Sequence, residues 1–70
     1  MRLLLNRIEE FRIEKGLMKG WIAEQAGIHR NSLTSIIRGA EPHLSVADKI
    51  AKSLGKTLYE VWPDLISEKE

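Results

Sequence analysis

Four glycines, Gly16, Gly27, Gly39 and Gly55, divide this chain into short segments whose apolar residues recur every three or four positions. That is helical spacing, and no stretch alternates with period two, so the chain reads as all-α. Leu4, Ile8 and Phe11 predict a first helix over residues 3–15, ending at Gly16. A second spans about 19–26, with Ile22, Ala23 and Ala26 inward, and stops at Gly27. A third spans about 30–38, with Leu33 and Ile36 inward, and stops at Gly39. After the Pro42 loop a fourth runs over 44–54, with Leu44, Ala47, Ile50, Ala51 and Leu54 inward. Thr57 and Glu60 form a capping box that opens a fifth helix with Leu58, Val61 and Trp62 inward, which Pro63 interrupts by removing a backbone donor. The expected fold is a compact five-helix domain over residues 1–63, followed by a short acidic tail, 64–70.

Length and composition narrow the function classes. The chain has 70 residues and no cysteine, so it supports one small core without disulfides or thiolate zinc sites. Its longest aliphatic run, Leu3–Leu5, is far short of the ~20 residues of a membrane span, so a cytoplasmic protein is expected. The net charge of +1 hides a gradient. Residues 15–40 carry Lys15, Lys19, Arg30 and Arg38 against Glu24 alone, while residues 41–70 hold more acids than lysines. Such a split can put a positive face on a nearly neutral molecule.

From Lys19 to Arg38 the pattern becomes specific. Two short helices flank a turn with glycine at position 27, where positive φ is needed and a Cβ is costly. Ala23 is small enough for the helices to cross closely, and Ile22, Ala26, Ile28, Leu33 and Ile36 fall where such a pair buries its side chains. Together these positions describe a helix-turn-helix. The outward residues of its second helix are Arg30, Asn31, Thr34 and Ser35.

Over about residues 4–63 the sequence resembles the Cro/phage-repressor-like (XRE-type) helix-turn-helix family. The resemblance is carried by Asn6-Arg7-Ile8, Glu14-Lys15-Gly16-Leu17, Ile22-Ala23-Glu24 with Ala26-Gly27-Ile28, Arg38-Gly39, Ile50-Ala51-Lys52 with Leu54-Gly55, and Leu58-Tyr59-Glu60-Val61-Trp62-Pro63. It implies a lambda-repressor-like domain that binds double-stranded DNA as a small transcriptional regulator, commonly a repressor. Many relatives act as homodimers on two-fold symmetric operators. The family's base-reading positions fall on Arg30, Asn31, Thr34 and Ser35. Its phosphate contacts fall on Lys19, where relatives usually carry Gln, and on Arg38 and Arg12.

Several residues depart from that pattern. Relatives pair the residue at Arg12 with a Glu near the end of the third helix. Ile37 stands there, which leaves Arg12 available to a phosphate. His29 takes an N-cap position usual for Ser or Thr and is expected to cap more weakly. Trp21 occupies a position that is usually polar and outward. Trp62, Leu65 and Ile66 continue an apolar stripe that a core this small cannot wholly cover, and two outcomes are open: Leu65 and Ile66, with or without Trp62, form a symmetric dimer contact, or the tail folds onto its own domain.

No catalytic set, cofactor motif or metal-ligand spacing is present in the sequence, so a non-enzyme without cofactor is expected. Two rivals share the fold. One is an antitoxin-type component that also grips a protein partner through the C-terminal stripe. The other is a protein-interaction module that does not bind DNA.

Overall fold

A computed structural model describes residues 5–64. Within them the chain forms five helices: α1 (Ile8–Lys15), α2 (Lys19–Ala26), α3 (Arg30–Ile37), α4 (Leu44–Ser53) and α5 (Leu58–Val61). The radius of gyration is 11.1 Å, as expected for a compact chain of this length.

The turns have local causes. At the end of α2, Gly27 adopts φ 73°, its N–H donates to Glu24 O (3.1 Å), and the Ile28 N–H reaches back to Ala23 O (3.0 Å). This Schellman arrangement satisfies two carbonyls that the helix end leaves without partners. Gly16 repeats it after α1, with Leu17 N–H on Arg12 O at 3.0 Å. The capping box forms in both directions: Thr57 Oγ1 accepts from Glu60 N–H (3.2 Å), and Glu60 Oε1 accepts from Thr57 N–H (2.7 Å).

α2 is the centre of the packing, against α3 on one side and α4 on the other, and α5 closes onto α4. The core is built from Ile8, Phe11, Ile22, Ala23, Ala26, Leu33, Ile36, Ala47, Ile50, Ala51, Leu54, Val61 and Trp62, all buried. Phe11 lies between two cations, with Arg7 Cζ 4.6 Å and Lys56 Nζ 4.7 Å from its ring centre.

Three expectations need correction. α1 begins at Ile8, not residue 3, because the Arg7 N–H donates to Val61 O (2.9 Å) and the Asn6 Oδ1 accepts from Ile8 N–H (3.2 Å). Those bonds hold residues 6 and 7 outside the helix; Leu4 lies outside the described residues. Leu44 has the inward spacing but is 70% exposed, since it is the first residue of α4 and the buried face starts a turn later at Ala47. Trp62 has no exposed surface and belongs to the core, so it cannot offer a subunit contact. Leu65 and Ile66 lie outside the described residues.

Candidate nucleic-acid interface

α3 turns Leu33 and Ile36 into the core and leaves the opposite arc to solvent. At about 100° per residue, Arg30, Thr34, Arg38, Asn31 and Ser35 share that arc. Arg30, Asn31, Ser35 and Arg38 are exposed. Thr34 is half-buried, and its hydroxyl donates to Arg30 O (3.2 Å), which leaves its methyl and lone pairs for contact. α3 carries no carboxylate. Glu24 and Glu41 stand at its flanks, the first near Arg30 and the second near Ser35.

The start of α3 is fixed by His29. Its Nδ1 accepts from the Asn31 N–H at 3.0 Å, so the imidazole caps the helix as a Ser or Asp side chain would. This bond requires Nδ1 to be unprotonated, with any ring proton on Nε2. Arg38 is the C-cap residue, where a cation is favoured by the helix dipole.

Lys19 is the first residue of α2, and the N-cap Met18 supplies no side-chain hydrogen bond to that helix. The positive end of α2 therefore faces outward beside a cation, an arrangement suited to an anion. The Lys19 Nζ also lies 3.8 Å from Glu9 Oε2, so a phosphate must compete with that carboxylate.

Arg12 is not available, contrary to the reading from sequence. Its Nη2 and Nε bond the Glu9 carboxylate, the closest contact being 2.7 Å, and its Nη1 donates to Leu17 O at 2.9 Å. Glu9, three residues earlier on the same helix, supplies the carboxylate that Ile37 does not. Since the Arg12 carbonyl also accepts from Leu17 N–H, this residue clasps both backbone groups of Leu17 and secures the α1–α2 turn. Arg12→Ala is expected to lower stability by about 1.5–3 kcal/mol, the worth of a charge-assisted hydrogen bond. The salt dependence of DNA binding should stay unchanged; a shallower slope would return Arg12 to the phosphate set.

The Arg12 guanidinium, through its hydrogen bonds, holds the Glu9 carboxyl below the ordinary carboxylate range. The folded state therefore favours ionised Glu9. Its contribution is present above the unfolded carboxylate value of about 4.3 and is lost as pH falls through the lower folded value. Between pH 5 and pH 3 the melting temperature of the parent chain should fall more than that of Glu9→Gln. Equal falls would remove Glu9 from the acid sensitivity.

Trp21 is 41% exposed and lines a groove with Gln25, Lys49, Lys52 and Ser53 on the α4 side of α2. Gly20 and Glu24 line a separate cleft with His29 and Arg30. The Trp21 stripe is thus turned by about 100° from the α3 flank of α2.

This helix–turn–helix geometry has a counterpart in sequence. The helix-turn-helix family profile matches residues 8–61, most of the chain and all five helices. The chain belongs to the helix-turn-helix family. This is a family of DNA-binding regulators of the XRE type, not of enzymes. Among solved structures, a hypothetical transcription factor, NHTF, from Neisseria is similar with a TM-score of 0.70 and 26% identity, over 90% of this chain and 74% of that one. A chain of the SinR protein/SinI protein complex is similar with a TM-score of 0.68 and 30% identity, over 91% of this chain and 60% of that one. This helix-turn-helix chain thus spans less than two thirds of the SinR/SinI chain. No curated protein sequence matches it.

Proposed function

We propose that this helix-turn-helix chain binds double-stranded DNA in a sequence-specific way, as a small transcriptional repressor. The observation that carries this reading is the exposed polar arc of α3, free of carboxylates and backed by Leu33 and Ile36 in the core. A helix about 10–12 Å across fits a major groove about 12 Å wide. Arg30 suits guanine O6 and N7, Asn31 suits adenine N6 and N7, and Thr34 and Ser35 suit a thymine methyl or a single acceptor. Lys19 and Arg38 hold phosphates on either side, and Arg12 leaves that set because its guanidinium is already neutralised by the Glu9 carboxylate and bound to Leu17 O.

A single half-site meets few cations, so affinity depends on a homodimer spanning half-sites about 34 Å apart. We place residues 1–63 in the DNA-binding unit and assign the dimer contact to Leu65 and Ile66 in the 64–70 tail. The test is selection of bound duplexes from a random pool. A two-fold symmetric consensus supports both DNA reading and dimerisation. A single unrepeated element supports DNA reading by a monomer. A pool that gains no consensus overturns the proposal.

Binding should weaken with salt, each neutralised phosphate adding about −0.9 to the slope of log K against log salt concentration. Titrations between 50 and 200 mM salt, over which two phosphate contacts change affinity about 12-fold and the four of a dimer about 150-fold, measure that slope. A flat response would leave Lys19 and Arg38 without phosphate partners. A second reading, that the chain also binds a protein partner, is favoured by its likeness to a chain solved as the SinR protein/SinI protein complex.

A further inference from the structure

We propose that Asn6 is a positioning residue for DNA reading: its side-chain amide anchors the C-terminal end of the recognition helix to the start of α1. This rests on the DNA-reading proposal above. The Asn6 Nδ2 donates to Ile36 O at 2.9 Å and points toward Ile37 O at 3.5 Å, across 30 and 31 residues of sequence. The same amide's Oδ1 accepts from Ile8 N–H at 3.2 Å. Next to it, the Arg7 N–H is held by Val61 O of α5 at 2.9 Å. The amide is thus fixed on one side by α1 and α5 and grips α3 on the other.

The grip falls at the C-terminal end of α3. The last carbonyls of a helix have no partner within it. The Ile36 carbonyl receives the Gly39 N–H at 3.0 Å, and Asn6 adds a second donor from a distant element. The main packing partner of α3 is α2, which holds it along its length through the turn at Gly27. The N-terminal end also has the His29 cap. Releasing Asn6 removes the hydrogen bond that ties the far end of α3 to the start of α1. An eight-residue helix is about 12 Å long, so a swing of about 10° about its start moves its end by about 2 Å. The displacement grows along the helix, about 1 Å at Thr34, about 1.3 Å at Ser35 and about 2 Å at Arg38, enough to misalign hydrogen bonds made there while leaving those made from Arg30 nearly in place.

Asn6→Asp separates the two duties. The carboxylate can still accept from Ile8 N–H, but it cannot donate to a carbonyl. Asn6→Ser is the uncharged second variant: it retains a short acceptor and cannot span the distance to Ile36. Each variant is compared with the parent chain in binding titrations against the selected duplex and its single-base-pair changes. Residual dipolar couplings of the free proteins report the α3 orientation relative to α1.

The expected result is about a fivefold or greater loss of discrimination at the base pairs facing Thr34 and Ser35, the lower end of what one good base contact supplies. Discrimination at the base pair facing Arg30 stays, and the couplings show α3 reoriented while α2 and α4 keep their relation. A loss of folded fraction alone would weaken every duplex by one factor and spare the pattern. That uniform loss, or an unchanged α3 orientation in both variants, overturns the assignment. If the parent chain shows no sequence preference, the DNA-reading proposal fails, and the couplings alone then decide whether Asn6 orients α3.

Discussion

Arg30→Ala is expected to lose about 5- to 150-fold of discrimination at one guanine position, equivalent to ~1–3 kcal/mol for a bidentate base contact. Its affinity for duplexes already altered at that base pair should change far less. Arg30 is exposed at the first residue of α3, where a recognition helix comes nearest the base edges, and the helix start beneath it is fixed by the His29 cap. Asn31→Ala is expected to act the same way at an adjacent adenine. Lys19→Ala provides the contrast. A phosphate contact carries no sequence information, so its loss should weaken matched and mismatched duplexes alike and reduce the salt slope by about 0.9 per bound protomer. The nearby Glu9 carboxylate, 3.8 Å from Lys19 Nζ, makes the Lys19 effect smaller than that of a phosphate-binding lysine with no such neighbour. The measurement is a set of titrations of each variant against the selected duplex and its single-base-pair changes, at two salt concentrations. Uniform loss on every duplex for Arg30→Ala would take Arg30 out of the base-reading set and put it with the phosphate ligands.

What could be read from the sequence, and what could not, divides by range. Helix ends at Gly16 and Gly27 are local, since a Schellman turn involves six consecutive residues, and both form as the spacing predicts. The capping box at Thr57 and Glu60 is local in the same way. The outward arc of α3 also follows from periodicity, because Leu33 and Ile36 leave only one side for the polar residues. Long-range choices were hidden. Arg12 had a visible carboxylate three residues back, but only the fold shows that the same guanidinium also bonds Leu17 O and is thereby held in the α1–α2 turn. Asn6 grips a carbonyl 30 residues away, and no local pattern announces that. Leu44 had the right spacing, yet burial depends on whether a neighbouring element covers that turn. Residue type alone predicts a weaker cap at His29, although an unprotonated imidazole nitrogen is an adequate acceptor when the backbone aims an N–H at it.

Trp62→Ala is expected to remove about half of the domain's stability. Trp62 is the largest of the fully buried side chains, and removing a buried tryptophan costs about 3–5 kcal/mol. A domain of this size has a total stability of only about 4–10 kcal/mol. Trp62→Phe should behave differently. Among the described residues, the Trp62 Nε1 has no hydrogen-bond acceptor, and an unsatisfied buried donor costs ~1–3 kcal/mol. Phenylalanine removes that donor while retaining much of the ring. The gain offsets part of the lost packing, so the net change should be about 1 kcal/mol or less. Urea unfolding followed by far-ultraviolet circular dichroism gives both values, and it does not depend on the fluorophore being replaced. The same experiment separates the core role of Trp62 from the dimer role left open by the sequence. A core residue lowers stability by the same amount at every protein concentration. A subunit contact would instead make the loss shrink as the protein is diluted, because below the dissociation constant parent and variant are both monomeric and the dimer no longer adds to stability. A concentration-dependent loss for Trp62→Phe would show that the indole meets a second copy of the chain in solution.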